Sequence, residues 1–129
     1  ASFCGGIVRP LPGLVESVAK LEPLLREDGT QAVVLLPTCS LCVQSVSLLA
    51  RELEKTGLRT VTVTMFPELT RLVGAPRSLS VRFPFGAPCG DPNNRDLHRA
   101  VLLEALEMIR DCEKPGDIRA SRFAWRREA

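Results

Sequence analysis

The stretch Ala32-Val33-Val34-Leu35-Leu36-Pro37-Thr38-Cys39-Ser40-Leu41-Cys42 decides the fold. Its first five residues are a continuous apolar run, too short for a helix and bounded by Gly29 and Pro37. Such a run fits a strand covered on both faces, and strands of that kind belong to parallel sheets. The two cysteines that follow stand where the strand gives way to a helix.

Downstream, Cys42, Val46, Leu49, Ala50 and Leu53 form one helical stripe, with Glu52, Glu54 and Lys55 on other faces and Gly57 as the stop. Thr38 or Ser40 is the expected N-cap. Thr60 to Thr64 is β-branched throughout and reads as a second strand, Pro67 to Val73 as a short helix, and Leu79 to Phe83 as a third strand. From Asp96 to Ile109 the stripe Leu97, Val101, Ala105 and Met108, widened by Leu102, Leu106 and Ile109, marks a buried helix. Upstream, Leu14, Val18, Leu21 and Leu25 recur at helical spacing before Asp28-Gly29, with Pro23 expected to kink that helix or shift its start.

Alternating helices and strands with short connections imply an α/β fold: an open parallel sheet of at least three strands with flanking helices and right-handed crossovers. We read residues 1–112 as one α/β domain. Residues 113–129, with Arg119, Arg122, Arg126 and Arg127 around Phe123 and Trp125, read as a basic tail that is solvated or touches an acidic partner or nucleic acid.

Composition narrows the function classes. The chain has 129 residues, 45% apolar and 25% charged, and a net charge of +2 from seventeen basic and fifteen acidic residues. That balance implies neither a nucleic-acid surface nor a trap for acidic substrates. No apolar run approaches the roughly eighteen residues of a membrane span, and the first residues lack a secretory pattern, which points to the cytoplasm. Five cysteines, Cys4, Cys39, Cys42, Cys89 and Cys112, are an odd number in a chain able to build its own core, so free thiols fit better than a disulfide framework. The opening Ala1-Ser2-Phe3-Cys4-Gly5-Gly6 fits a processed or truncated chain.

Cys39 and Cys42 are the expected catalytic residues. A helix start carries unpaired N–H groups and a partial positive charge, both of which favour thiolate over thiol. Two intervening residues on a first turn let the sulfurs meet in a reversible disulfide. On this reading Cys39 is the exposed attacker and Cys42, on the apolar stripe, the resolver. The plain alternative is a pair of small buried hydrophobes. A zinc site wants a second Cys-x-x-Cys or a histidine pair, and His98 is the lone histidine, so no metal is assigned.

Ligands of open α/β sheets sit beyond the carboxyl ends of the strands. Thr38 therefore joins the candidate substrate-binding residues, as do Gly86, Cys89, Gly90 and Asp91 of the turn-rich segment Pro84-Phe85-Gly86-Ala87-Pro88-Cys89-Gly90-Asp91-Pro92. Arg77 and Arg82 flank and lie within the third strand, where a guanidinium can hold a carboxylate. Cys4 is a candidate additional thiol.

Five motifs occur in order: Cys39-Ser40-Leu41-Cys42, Glu52-Leu53-Glu54-Lys55-Thr56-Gly57-Leu58, Val73-Gly74-Ala75-Pro76-Arg77, Phe83-Pro84-Phe85-Gly86 and Gly90-Asp91-Pro92. From about Ser2 to Ile109 this series resembles the carboxyl-terminal part of the selenoprotein B family of glycine, sarcosine, betaine and D-proline reductases. The resemblance implies one lobe of a two-lobed Rossmann-like architecture and reductive cleavage of a carbon–nitrogen or related bond in a small amine or amino-acid-like substrate. It also implies a pyruvoyl group on a partner subunit rather than a cofactor in this chain, and a thioredoxin-like electron donor. The selenocysteine of those reductases falls at the position of Leu36, and relatives carry a further amino-terminal segment. Half of a two-lobed protein leaves apolar surface to cover, so a homo- or hetero-oligomer is expected. Two other readings stay open: a cofactor-independent acid/base enzyme similar to the aspartate/glutamate racemases, with a facing cysteine from Cys89, Cys4 or another subunit, and a non-catalytic partner subunit.

Overall fold

The structure, a computed structural model, describes residues 11–112, 114, 116–123 and 125. Its elements are α1 (Leu11–Glu27), β1 (Ala32–Leu35), α2 (Ser40–Lys55), β2 (Arg59–Thr64), α3 (Pro67–Val73), β3 (Arg77–Ser80), α4 (Arg95–Asp111) and β4 (Asp117–Ala120). The strands form one sheet in the order β1-β2-β3-β4, and every neighbouring pair is parallel. An open parallel sheet with flanking helices is thus the fold.

β2 is central and buried on both faces, and its alternation sorts the layers. Val61 and Val63 face α4, in a core with Leu79, Val81, Phe83, Val101, Ala105, Met108 and Ile109. Thr60, Thr62 and Thr64 face the other way and are equally buried. Glu54 of α2 accepts from Thr60 N–H at 2.7 Å, and the Thr64 and Thr70 hydroxyls, the second on α3, lie 2.8 Å apart. On that same side Val33 and Leu35 of β1 pack with Leu49, Ala50 and Leu53 of α2 and with Val18 and Leu25 of α1. Helix α1 runs through Pro23 without a break in its assignment.

The strand order never reverses, yet α2 and α3 lie on one face and α4 on the other. The β3–α4–β4 crossover therefore has the opposite hand from the two before it, so the three are not uniformly right-handed as expected. That preference arises where a twisted strand feeds directly into a helix that packs back on the sheet. Here fourteen residues, 81–94, separate β3 from α4 and release the constraint.

Part of the stretch read from the sequence as a basic tail is sheet. Ser78 pairs with Ile118 and Ser80 with Ala120, while Phe123 and Trp125 pack on the α4 core, with Trp125 5.8 Å from Phe83 between ring centroids. Buried Glu104 of α4 fastens this end, accepting from Ser121 Oγ at 2.5 Å and Arg122 N–H at 3.0 Å. Asp117 and Arg119 masked the strand in the sequence, and an edge strand tolerates such charge; Arg126 and Arg127 lie outside the described residues.

Two threonines on one strand make a stability test. Thr64 Oγ1 meets Thr70 Oγ1 and accepts from Phe66 N–H at 3.0 Å, whereas buried Thr62 Oγ1 has no partner among the described residues. Thr64→Val should cost about 1–3 kcal/mol in chemical denaturation, and Thr62→Val should be neutral or slightly stabilising. Equal losses at both positions would contradict this assignment.

Candidate functional site

The site begins where β1 ends. Cys39 itself is the N-cap of α2, in extended conformation, and its sulfur accepts from Cys42 N–H at 3.3 Å. The expectation of Thr38 or Ser40 as cap is corrected: a thiol sulfur fills the role usually taken by an Asp or Ser oxygen. Both cysteines are partly exposed and free.

Cys39 Sγ–H donates to Cys42 Sγ at 2.8 Å. This separation is shorter than an ordinary sulfur contact and still well beyond the ~2.05 Å of a disulfide bond. The Cys42 thiol is held below its ordinary value, first by the hydrogen bond from the Cys39 side chain, against the opposing effect of burial, and then by the Thr38 backbone and hydroxyl and the Cys39 backbone. Every group that stabilises this thiolate is an uncharged donor. The sequence assigned attack to Cys39 by its exposure; in the structure Cys42 Sγ accepts from the Cys39 thiol, and Cys39 Sγ accepts from Cys42 N–H.

The loop after β3 folds back onto this turn. Gly86 N–H donates to Thr38 O at 2.8 Å, and Ala87 N–H to Pro84 O at 3.1 Å. Thr38, Gly86 and the cysteine pair therefore share one place. Leu36, Leu41, Phe66 and Phe85 are exposed after β1, β2 and β3 and give this edge of the sheet an apolar rim.

Other candidates from the sequence sit elsewhere. Gly90 is buried with φ 123°, and a Cβ there would fall 2.5 Å from the Leu97 side chain, so this glycine serves loop-to-helix packing. Asp91 supports the start of α4: Asn94, the N-cap, donates to Asp91 Oδ1 at 3.0 Å, and His98 Nε2 lies 2.8 Å from Asp91 O. Asn94 followed by a helical stripe was a legible cap signal. Cys89 packs against the α4 core, and burial pushes its thiol up.

Arg77 is corrected as a substrate ligand. It opens β3, at the amino edge of the sheet, where it pairs with Glu54 and donates to Thr60 O at 3.1 Å and Cys112 O at 2.9 Å. A largely buried guanidinium whose donors are taken by the fold cannot also hold a ligand at the opposite edge. Arg82 is exposed on the carboxyl side of β3. Buried Cys112 ends α4 beside Asp117, and burial first, then that carboxylate, raise its thiol. Cys4 lies outside the described residues.

Among the described residues no helix is long and apolar enough to cross a membrane, and no three His, Cys, Asp or Glu side chains are gathered to hold a metal ion.

No protein-family model and no solved structure matches the chain. It is 30% identical over 94 residues to D-proline reductase subunit gamma of Acetoanaerobium sticklandii, a match covering 73% of this chain and 39% of that subunit. The chain thus matches about two fifths of the length of this relative. With an α/β sheet that delivers a Cys-x-x-Cys to a helix start, the chain is a distant relative of the D-proline reductase subunit.

Proposed function

We propose that this chain is a thiol-based redox component related to D-proline reductase, in which Cys42 attacks and Cys39 resolves. One observation carries the reading: two free sulfurs stand 2.8 Å apart at a helix start, with the Cys39 thiol donating to the Cys42 sulfur, which lowers the Cys42 thiol. The relationship to a named reductase subunit supports a reductive use of the pair.

The chemistry balances as a two-electron reduction. The Cys42 thiolate attacks an electrophilic centre and forms a new bond to sulfur as the leaving group departs with its electron pair and takes a proton. Cys39, deprotonated, then attacks Cys42 Sγ and closes the disulfide, releasing the fragment reduced by two electrons. For a carbon–nitrogen bond the sum is two thiols and C–N giving a disulfide, C–H and N–H. An external dithiol of thioredoxin type resets the pair by exchange and leaves as its own disulfide.

At the selenocysteine position stands Leu36, exposed at 42%, so in this reading a thiol carries the step a selenol carries elsewhere. The pyruvoyl group belongs to a partner subunit that holds the amine, and no residue of this chain is assigned to it. A second subunit, or a second copy, completes the two-lobed architecture. A reducing cytoplasm suits the four free cysteines among the described residues. The racemase-like reading gains no support, because Cys89 is packed on the α4 side of the sheet and the pair opens α2 on the other.

Ellman's reagent separates the roles. The reduced protein should release two equivalents of thionitrobenzoate per pair and form the Cys39–Cys42 disulfide. Cys39→Ser should stop after one, with the mixed disulfide mapped to Cys42 by mass spectrometry. Cys42→Ser should slow the first release by about tenfold or more; an undiminished rate would sink the proposal.

pH gives a second test. Because folding lowers the Cys42 thiol from 9.0, the reduced native state binds fewer protons at that group than the unfolded chain. Its stabilisation is complete above 9.0 and is lost as pH falls through the lowered native value. Cys89 and Cys112, both raised, act in the opposite sense, so the readout is the difference from Cys42→Ser. That difference should grow as pH rises; a flat difference would show an ordinary thiol.

A further inference from the structure

The described sheet ends in β1 on one side and β4 on the other, and the two edges differ in kind. β4 carries Asp117 and Arg119, an ion pair at 3.5 Å, and such charge keeps an edge strand from pairing with a stranger. β1 is Ala32-Val33-Val34-Leu35, with neither charge nor proline. In a parallel ladder alternate residues turn their backbone groups to the same neighbour. Gln31 O accepts from Arg59 N–H at 3.4 Å, so Gln31, Val33 and Leu35 face β2. Ala32 and Val34 direct their N–H and C=O groups outward, where no described strand meets them.

The side chains along this edge are apolar on both faces of the sheet. Ala32 and Val34 pack on the α4 core and are only half-buried. On the other face α1 lies over β1 through Val18 and Leu25, and Arg26 of α1 donates to Thr56 O at the end of α2. Leu24, two residues before Arg26, stands about 200° round the helix from it. It is therefore on the flank away from α2, and it is 57% exposed. Half-buried Leu21 lies between that flank and the core.

We propose that the open edge of β1 receives an extended, charge-free strand from a partner polypeptide, which joins the sheet under the outer flank of α1. Main-chain hydrogen bonds to Ala32 and Val34 hold it, and the apolar surfaces on either side favour uncharged β-branched residues. A second copy of this chain does not fit this edge. Its own bare strand is β1, and two β1 strands paired about a twofold axis lie about 4.8 Å apart, whereas the α1 helices above them need about 8–10 Å. The proposal goes beyond the thiol chemistry and does not depend on it. The seat runs out at exposed Leu36, three residues before Cys39, so the partner's chain leaves the sheet beside the cysteine pair.

The test is backbone amide exchange by NMR on the full, reduced chain, with a synthetic peptide as the probe. The peptide carries Thr60-Val61-Thr62-Val63-Thr64, the neighbour of β1 on its inner side, flanked by lysines for solubility. In the chain alone, Ala32 and Val34 should exchange as open amides while Val33 and Leu35 are protected. Saturating peptide should slow Ala32 and Val34 by about tenfold or more, and the same peptide with proline for its central threonine should have no effect. Leu21→Glu should weaken peptide binding by about tenfold; Leu72→Glu, at an 83% exposed position of α3, should leave it unchanged. Ala32 and Val34 already protected in a monomer would mean that the chain covers its own edge. Protection that rises with protein concentration would mean a second copy, and open amides indifferent to the peptide would mean an edge that takes no strand. Each of these three results overturns the proposal and leaves the thiol chemistry standing.

Discussion

Burial of β2 on both faces is the constraint from which the architecture follows. A strand with no exposed face must have a helix layer on each side, and its two sets of side chains differ in kind. Val61 and Val63 require an apolar cover, which α4 supplies. The threonines opposite require hydroxyl partners or tolerate their absence, and α2 and α3 give Thr60 and Thr64 those partners. The division sends the chain from β2 towards one face and from β3 towards the other, so the carboxyl edge of the sheet is not roofed by a single helix layer. The loop that bridges the change of face, residues 81–94, is the same loop that returns to Thr38.

Much of this was legible in the sequence because the signals were local. The five-residue apolar run, the β-branched run from Thr60 to Thr64 and the stripe through Val101 and Met108 each identified an element without reference to the rest. β4 was hidden because Asp117 and Arg119 look like loop residues, and their place in a strand is decided by an edge partner, Ser78 to Ser80, far away in the chain. The change of hand at α4 depends on which face a helix chooses, and periodicity carries no information about that choice.

The site was legible to the level of two cysteines at a helix start and no further. Exposure and stripe position suggested Cys39 as attacker, while acidity follows from which sulfur donates to the other, and that direction has no sequence signature. Arg77 looked available for a ligand because its partners, Glu54, Thr60 and Cys112, are brought together only by folding. Gly86 reaches the turn that carries the pair through an N–H to Thr38 O and not through the open space that glycines usually suggest.

The cover of β2 also has a timetable. Its threonine face meets α2 and α3, both within about a dozen residues along the chain, whereas its valine face waits for Val101 and Ala105, about forty residues later. During synthesis the sheet therefore exists for a time with one face dressed and the other bare, the condition under which partly made α/β chains associate with each other.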